Sequence, residues 1–385
     1  MSWSVKQMSI TLVAAAGLFG CTGPDDSDSS LGGTCTEAAT IEDLQGMASS
    51  GADHFVCANS WEGELVVEGS ALEFEEGSVI SSAAGTPLTI ASGPAAISGL
   101  SVQGGVGTTA GSYVVGGCVL VQDDVEAAFS EMTVSGCSAQ VGAGIWIGNN
   151  SVVSLDSVSV ENNEATEIGG GINVQPNGQL QVSSLRVSDN TAFQGGGLQM
   201  ASGASLMGDS EFVHNSAVRG AGVLISGGTI SGATLSGNAA TADGGGALVS
   251  DGQVINCAFL ANSAGNDGGG LYTDGELVVA RGSRFVENRS EREGGGVEVG
   301  SLQFALIQSE VLLNEAGHGD GGGVSMSGGV HALCSNETNW GGAEDSNSPA
   351  DLAAGSWAEI DGVATFTCEP GEWPCQEGVV ASWCE

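Results

Sequence analysis

LSGNAATADGGGALVSDGQVINCAFLANSAGNDGGGLYTD, residues 235–274, states one pattern twice. An apolar residue is followed two places on by x-Asn (Leu235 to Asn238, Phe259 to Asn262), and an Ala follows two residues later (Ala240, Ala264). A run of three glycines comes next (244–246, 268–270), and then apolar-x-apolar or its near relative (Ala247 and Val249, Leu271 and Thr273). Outward from this stretch the pattern holds in both directions. Glycine clusters begin at 116, 142, 169, 195, 220, 244, 268, 294 and 321, in steps of 24 to 27 residues. The apolar-x-x-Asn signal recurs at Asn163, Asn190, Asn215, Asn288 and Asn314, with Cys137 filling the same slot in the first copy.

Apolar residues two apart with a variable residue between them have the period of a β-strand. A piece of about 25 residues made of short strands and tight turns cannot bury its apolar side alone, but stacked copies can, and that is a solenoid. Parallel strands stack about 4.8 Å apart, and parallel crossovers are overwhelmingly right-handed. The glycine clusters supply the positive-φ turns that side chains disfavour. The Asn column reads as an amide ladder, because each amide has donors and an acceptor for the copies above and below. The expectation is an all-β, right-handed parallel β-helix of about 11–13 coils, with a short N-terminal capping helix and a cysteine-containing C-terminal cap.

The paired signals GGG-apolar and FVHN (212–215), FLAN (259–262) and FVEN (285–288) resemble the GGA(I/L/V) and FxxN repeats of the chlamydial polymorphic outer-membrane proteins, and the wider group of bacterial right-handed β-helix proteins. The resemblance spans residues 116 to about 340. It implies the fold and a place at the cell surface. That family usually ends in a membrane barrel, whereas residues 343–385 here carry cysteines.

Residues 1–20 have the shape of a signal peptide: Lys6, a short apolar run from Met8 to Phe19, then Leu18-Phe19-Gly20-Cys21. The last four residues resemble a bacterial lipobox, which implies lipidation of Cys21 and a membrane partner through the lipid. The alternative is an ordinary signal peptide with Cys21 in a disulfide. Residues 21–34 read as an acidic flexible tether. Thr22 after the cysteine implies the outer membrane, and the whole reading is of an exported, surface-located lipoprotein. Residues 35–342 form the β-helix (regular coils 116–326), opened by a helix from Ile41 to Ala48 with Thr40 and Asp43 as a capping box. Residues 343–385 form the C-terminal cap.

The 385-residue sequence has 46 acidic and 7 basic residues, for a formal net charge of −39. Lys6 is its one lysine, so the exported chain keeps six arginines and no lysine. Nucleic acid is therefore excluded as a partner, because its phosphates are repelled. Of ten cysteines, Cys35 with Cys57 and Cys118 with Cys137 are the expected pairs. Cys257 falls in an inward column of small residues with Ser210, Ala233, Ser283 and Ser309, and should be a free, buried thiol. For Cys334, Cys368, Cys375 and Cys384 three pairings remain open.

No catalytic residue is assigned. Gln122-Asp123-Asp124 and Gly317-His318-Gly319 have the look of a polygalacturonase-type site, but some seven coils separate them, roughly 35 Å along the axis. There is no Arg-x-Lys and no lysine to act as a lyase base. Two columns stand out instead. Just before the glycine clusters, Asp243, Asp267, Glu293 and Asp320 occupy one slot in four consecutive coils. Carboxylates stacked that way either splay into water or collect a divalent cation, and oxygen ligands suit Ca²⁺. Between the paired apolar residues runs an outward column: Leu120, Trp146, Asn173, Gln199, Leu224, Leu248, Tyr272, Glu298 and Ser325. Its apolar members Trp146, Leu224, Leu248 and Tyr272 form a candidate strip for a glycan or a surface protein of a host or neighbour. Asn173 is expected to be exposed. The function that fits is surface binding or adhesion; the alternatives are a polysaccharide lyase or glycoside hydrolase, and a passive envelope component.

Overall fold

The computed structural model describes residues 34–317, 321–326, 330–333, 339, 347–348 and 352–354. The chain winds as a parallel β-solenoid. On its first face, strands stack in register from Leu65 through Leu88, Val119, Ile145, Ile172, Leu198, Val223, Ala247, Leu271, Val297 and Val324 to Leu352, which is twelve strands. Two further faces follow in each coil; Glu126–Ser130 and Thr133–Ser135 represent them in one coil, and both pair in parallel with the coils on either side. A short fourth face closes each turn, as in Ala239–Ala240 and Ser263–Ala264.

The fourth face begins with the one antiparallel pairing described. A hairpin sets Thr108–Ala110 against Tyr113–Val115, so that the first strand of this sheet runs backwards. Before the coils, the helix Ile41–Ala48 is capped by Thr40 and Asp43, each side chain accepting from the other's backbone N–H. It buries Leu44 and Ala48 and packs on the strand Leu65–Glu68, covering apolar residues that an open solenoid end would expose.

Each glycine cluster begins with a residue in the left-handed region; φ runs from +59° at Gly116 to +83° at Gly321. The later glycines of a cluster are needed for a different reason. A Cβ on Gly222 would lie 2.4 Å from the carbonyl oxygen of Gly246, one coil on, so neighbouring turns approach too closely for any side chain.

The Asn ladder runs from Asn163 through Asn190, Asn215, Asn238, Asn262, Asn288 and Asn314 to Asn347, every member buried. Asn238 shows its wiring. Its Nδ2 donates to the Phe212 carbonyl and to Asn262 Oδ1, each at 2.9 Å. Its Oδ1 accepts from the Asn215 backbone N–H (2.9 Å) and from Asn215 Nδ2 (3.1 Å). From Asn163 to Asn314 the residue before each ladder Asn is left-handed, including His214, Ala261, Glu287 and Leu313. That bend turns the amide inward, and it is not signalled by residue type.

Inside the tube, Phe259 and Phe285 stack with ring centroids 4.7 Å apart. The small-residue column is as expected: Ser210, Ala233, Cys257, Ser283 and Ser309 are all buried. Cys257 is a free cysteine, and burial pushes its thiol up to about 11. Cys35 is bonded to Cys57 and Cys118 to Cys137.

The stacking extends past the expected boundary at 342. Asn314 donates to Asn347 Oδ1 at 2.8 Å, and Leu352–Ala354 pairs with Val324–Met326. Residues 347–348 and 352–354 therefore continue the β-helix, because the ladder and first-face strands are still satisfied there. Cys21, Asp320, His318, Trp340, Cys334, Cys368, Cys375 and Cys384 lie outside the described residues.

Candidate functional site

The outward column of the first face pairs residue for residue across the coils, Trp146 with Asn173, Gln199 with Leu224, Leu248 with Tyr272, and Glu298 with Ser325. Its environment differs from the expectation. Leu224 is 8% and Leu248 3% exposed, so these two are not an open apolar strip. Asn173, expected to be exposed, is 1% exposed. Trp146 and Tyr272 are half-buried.

The cause is the glycine turn, which folds back along the outside of the strand. A Cβ on Gly142 would stand 3.0 Å from the Cβ of Asn173 and 3.1 Å from that of Trp146; one on Gly220 would stand 3.2 Å from the Cβ of Leu248. The column thus lies in the angle between strand and turn, on a line parallel to the solenoid axis that the turns largely cover. The residues just before the glycines form its rim, so the two columns singled out in the sequence belong to one site.

From the N-terminal end, Leu120 and Trp146 come first and a polar stretch follows. Gln175 Nε2 donates to Asn173 Oδ1 at 2.6 Å, and Asn173 in turn donates to Gln199. Leu224 and Leu248 follow, and on the rim here Phe193 is 54% exposed. Tyr272 comes next, with the Arg219 guanidinium carbon 5.9 Å from its ring centroid, a cation–π contact. Burial, then Asp243 and Asp274, raise the Tyr272 phenol above its ordinary value. Ser250 Oγ donates to Asp274 beside it. Last come Glu298 and Ser325.

Asp243, Asp267 and Glu293 share one slot, since Gly220 N–H bonds to the Asp243 carbonyl, Gly244 to Asp267 and Gly268 to Glu293. Their side chains are mostly occupied. Arg219 Nε lies 3.1 Å from Asp243 Oδ2, and Arg292 Nη1 3.6 Å from Asp267 Oδ2. Asp267 also accepts the Glu293 backbone N–H at 3.0 Å, and Ser325 Oγ donates to Glu293 Oε2 at 3.4 Å. Among the described residues no three His, Cys, Asp or Glu side chains converge closely enough to hold a metal ion. Asp123 and Asp124 serve their own turns, where Asp123 accepts from the Asn149 backbone (2.7 Å) and Asp124 from Asn150 Nδ2 (3.0 Å).

Glu298 was not singled out among the candidate sites. It is 5% exposed, and its Oε2 is buried with no hydrogen-bond partner. Burial, with the Glu293 and Asp267 carboxylates adding to it against a Ser325 hydrogen bond, pushes its carboxyl up to about 7. The sequence signal that could have found it is the conflict of an acid placed in a column otherwise uncharged.

Comparison with known families matches residues 91–259 to the family described as right handed beta helix region. The match agrees with the parallel β-helix fold of the chain. No match was found among curated proteins or among solved structures. The matched span takes in the outward column from Leu120 to Leu248.

Proposed function

We propose that this β-helix protein is a lipid-anchored component of the bacterial cell surface that binds an extended glycan along the face bearing Trp146 and Tyr272. The reading is carried by Trp146 and Tyr272, two half-buried aromatic side chains in one column whose members between them are buried. Aromatic faces set along a straight track suit sugar rings, which present apolar C–H faces. Trp146 and Tyr272 are five coils apart, about 24 Å, room for several sugar units.

The test is a glycan-array screen of residues 22–385, followed by Trp146→Ala and Tyr272→Ala. Binding weakened at least about ten-fold by either change supports the reading, since a buried aromatic contact commonly carries that much. Binding unaffected by both removes this face from it. The anchor is tested by Cys21→Ser, which should move the protein from the detergent phase to the aqueous phase; a wild-type protein already aqueous refutes it.

A second reading is favoured by Glu298 alone. A carboxyl that keeps its proton up to about pH 7 is what a general acid in glycoside hydrolysis requires. Release of reducing-end or unsaturated sugars, abolished in Glu298→Gln, would establish that reading in place of simple binding.

A further inference from the structure

The outer surface of the second face changes character along the solenoid. In the three coils from Gln179 to Ser231 its outward positions hold Gln179, Gln181, Ser205, Met207, Thr229 and Ser231, of which only Met207 is apolar. In the next three coils apolar residues prevail: Ile255, Leu277, Val279, Ala305 and Ile307. Four of these, with Gln253 and Arg281, line an open hollow of about 320 Å³. Leu277 is 37% exposed, and Leu302, next to the Gln303 that pairs with it, is 63% exposed.

The far end of this patch is not open. Phe304 and Leu306 point into the core, so Ala305 and Ile307 lie on the other side of the strand and take no part in the core, yet they are 0% and 3% exposed. Neighbours in a flat sheet do not shield a side chain that fully, so the outer surface is covered there. Charge marks the same place. Five of the six arginines of the exported chain each meet a carboxylate. Arg281, in the wall of the hollow, makes no ion pair among the described residues; its Nη2 donates to Gln308 Oε1 at 3.4 Å.

We propose that the chain's own C-terminal segment, residues 355–385, folds back along the second face and seats its tryptophans on Ile255, Leu277 and Val279, with a neighbouring acid meeting Arg281. The last first-face strand described is Leu352–Ala354, and the second face follows the first in each coil. The segment therefore begins where this face ends, three strand spacings or about 14 Å from Leu277, and its 31 residues reach far beyond that when extended. Its composition matches the hollow. Trp357, Trp373 and Trp383 each have an acid within two residues (Glu359, Glu372 and Glu385), and the segment has no lysine or arginine. Cys334 follows Leu333, which pairs with Leu306 on this face. Each of the three pairings open to Cys334, Cys368, Cys375 and Cys384 joins Cys334 to the segment, holding it close to the patch. A second copy is the weaker occupant, because two chains of formal charge −39 repel, while a tethered segment is present at high effective concentration.

The experiment puts a photo-reactive side chain on the face in residues 22–385. Leu277 is replaced by p-benzoylphenylalanine, and in a control Met207, 49% exposed on the polar coils of the same face, is replaced instead. After irradiation, peptide mapping of the monomer should find the cross-link from position 277 in residues 355–385, at least ten-fold above any from position 207. Hydrogen exchange supplies a second readout. Val279→Glu should speed exchange of amides in 355–385 at least ten-fold and leave those around Asn190 unchanged, which also shows that the solenoid is folded; Ser231→Glu should alter neither.

A cross-link from position 277 that joins two chains overturns the proposal and makes the face an interface between copies. A cross-link to another part of the same chain, or none, overturns it as well. So does exchange in 355–385 that is already as fast as in a free peptide, or that is indifferent to Val279→Glu.

Discussion

Replacing Asn238 by Ala in the middle of the ladder should cost about 2–4 kcal/mol. The figure follows from which groups lose their only or principal partner. Asn262 Oδ1 keeps the Asn238 backbone N–H at 3.0 Å, and Asn215 Nδ2 keeps the Val187 carbonyl at 2.9 Å. The Asn215 backbone N–H, however, has its bond to Asn238 Oδ1 removed, and the Phe212 carbonyl loses the Asn238 amide. Both are buried main-chain groups that water cannot reach, and each stranded group costs on the order of 1–3 kcal/mol. Repeat proteins unfold by neighbouring units, so the loss is read best locally. Hydrogen exchange should show amides of the coils around 215, 238 and 262 opening more readily, with a lowered urea midpoint overall. Gln179→Ala, at an exposed outward position, should stay within about 0.5 kcal/mol of wild type. Equal effects at 179 and 238, or a loss below about 0.5 kcal/mol at 238, would refute the reasoning that the ladder satisfies turn backbone.

Glu298→Gln should alter the pH dependence of stability. The folded carboxyl titrates near 7, above its unfolded value, so its favourable contribution is complete below the unfolded value and is lost as pH rises through about 7. The wild type should therefore lose up to about 3 kcal/mol relative to the variant between pH 4 and 8, as melting curves across that range would show; parallel curves would contradict it. Gly222→Ala forces a Cβ onto the Gly246 carbonyl and should destabilise by more than about 2 kcal/mol, whereas Gly46→Ala, a helix position with nothing within 4 Å, should stabilise by about 0.5–1 kcal/mol. Denaturant melts of the two variants should move in opposite directions. Alkylation without reduction should label Cys257 only after unfolding, and Cys35, Cys57, Cys118 and Cys137 not at all, by peptide mapping.

The fold was legible because its determinants repeat. A glycine before Val223 means little alone, but the same glycine at nine sites fixes register, and the pairings of Ile145 with Ile172 or Leu248 with Tyr272 follow from alignment of the copies. Cys257 was placed by the same comparison with Ser210 and Ala233. The site was less legible. The outward column was identified, but not its burial, because the turn's fold over Leu248 and Asn173 depends on backbone geometry at Gly220 and Gly142 that residue type does not encode. Glu298 escaped notice for the same reason: an acid on an outward position reads as solvated until something is found beside it. The acids at 243 and 267 looked like a cation column, and only the side-chain directions of Arg219 and Arg292 show which charges they already meet.

The reversed hairpin at Thr108–Val115 has a consequence for how the molecule meets its own copies. A stack of parallel strands is a template at its open edge, and another chain's strand can in principle continue it. The short fourth sheet would offer such an edge at its N-terminal side, but Thr108–Ala110 lies there antiparallel, three exposed residues long and ending in a tight turn. An incoming strand finds only three residues to pair with before the turn. Deleting the hairpin should uncover the parallel edge behind it, and self-association of that variant at concentrations where the wild type shows none would establish that the hairpin protects this edge.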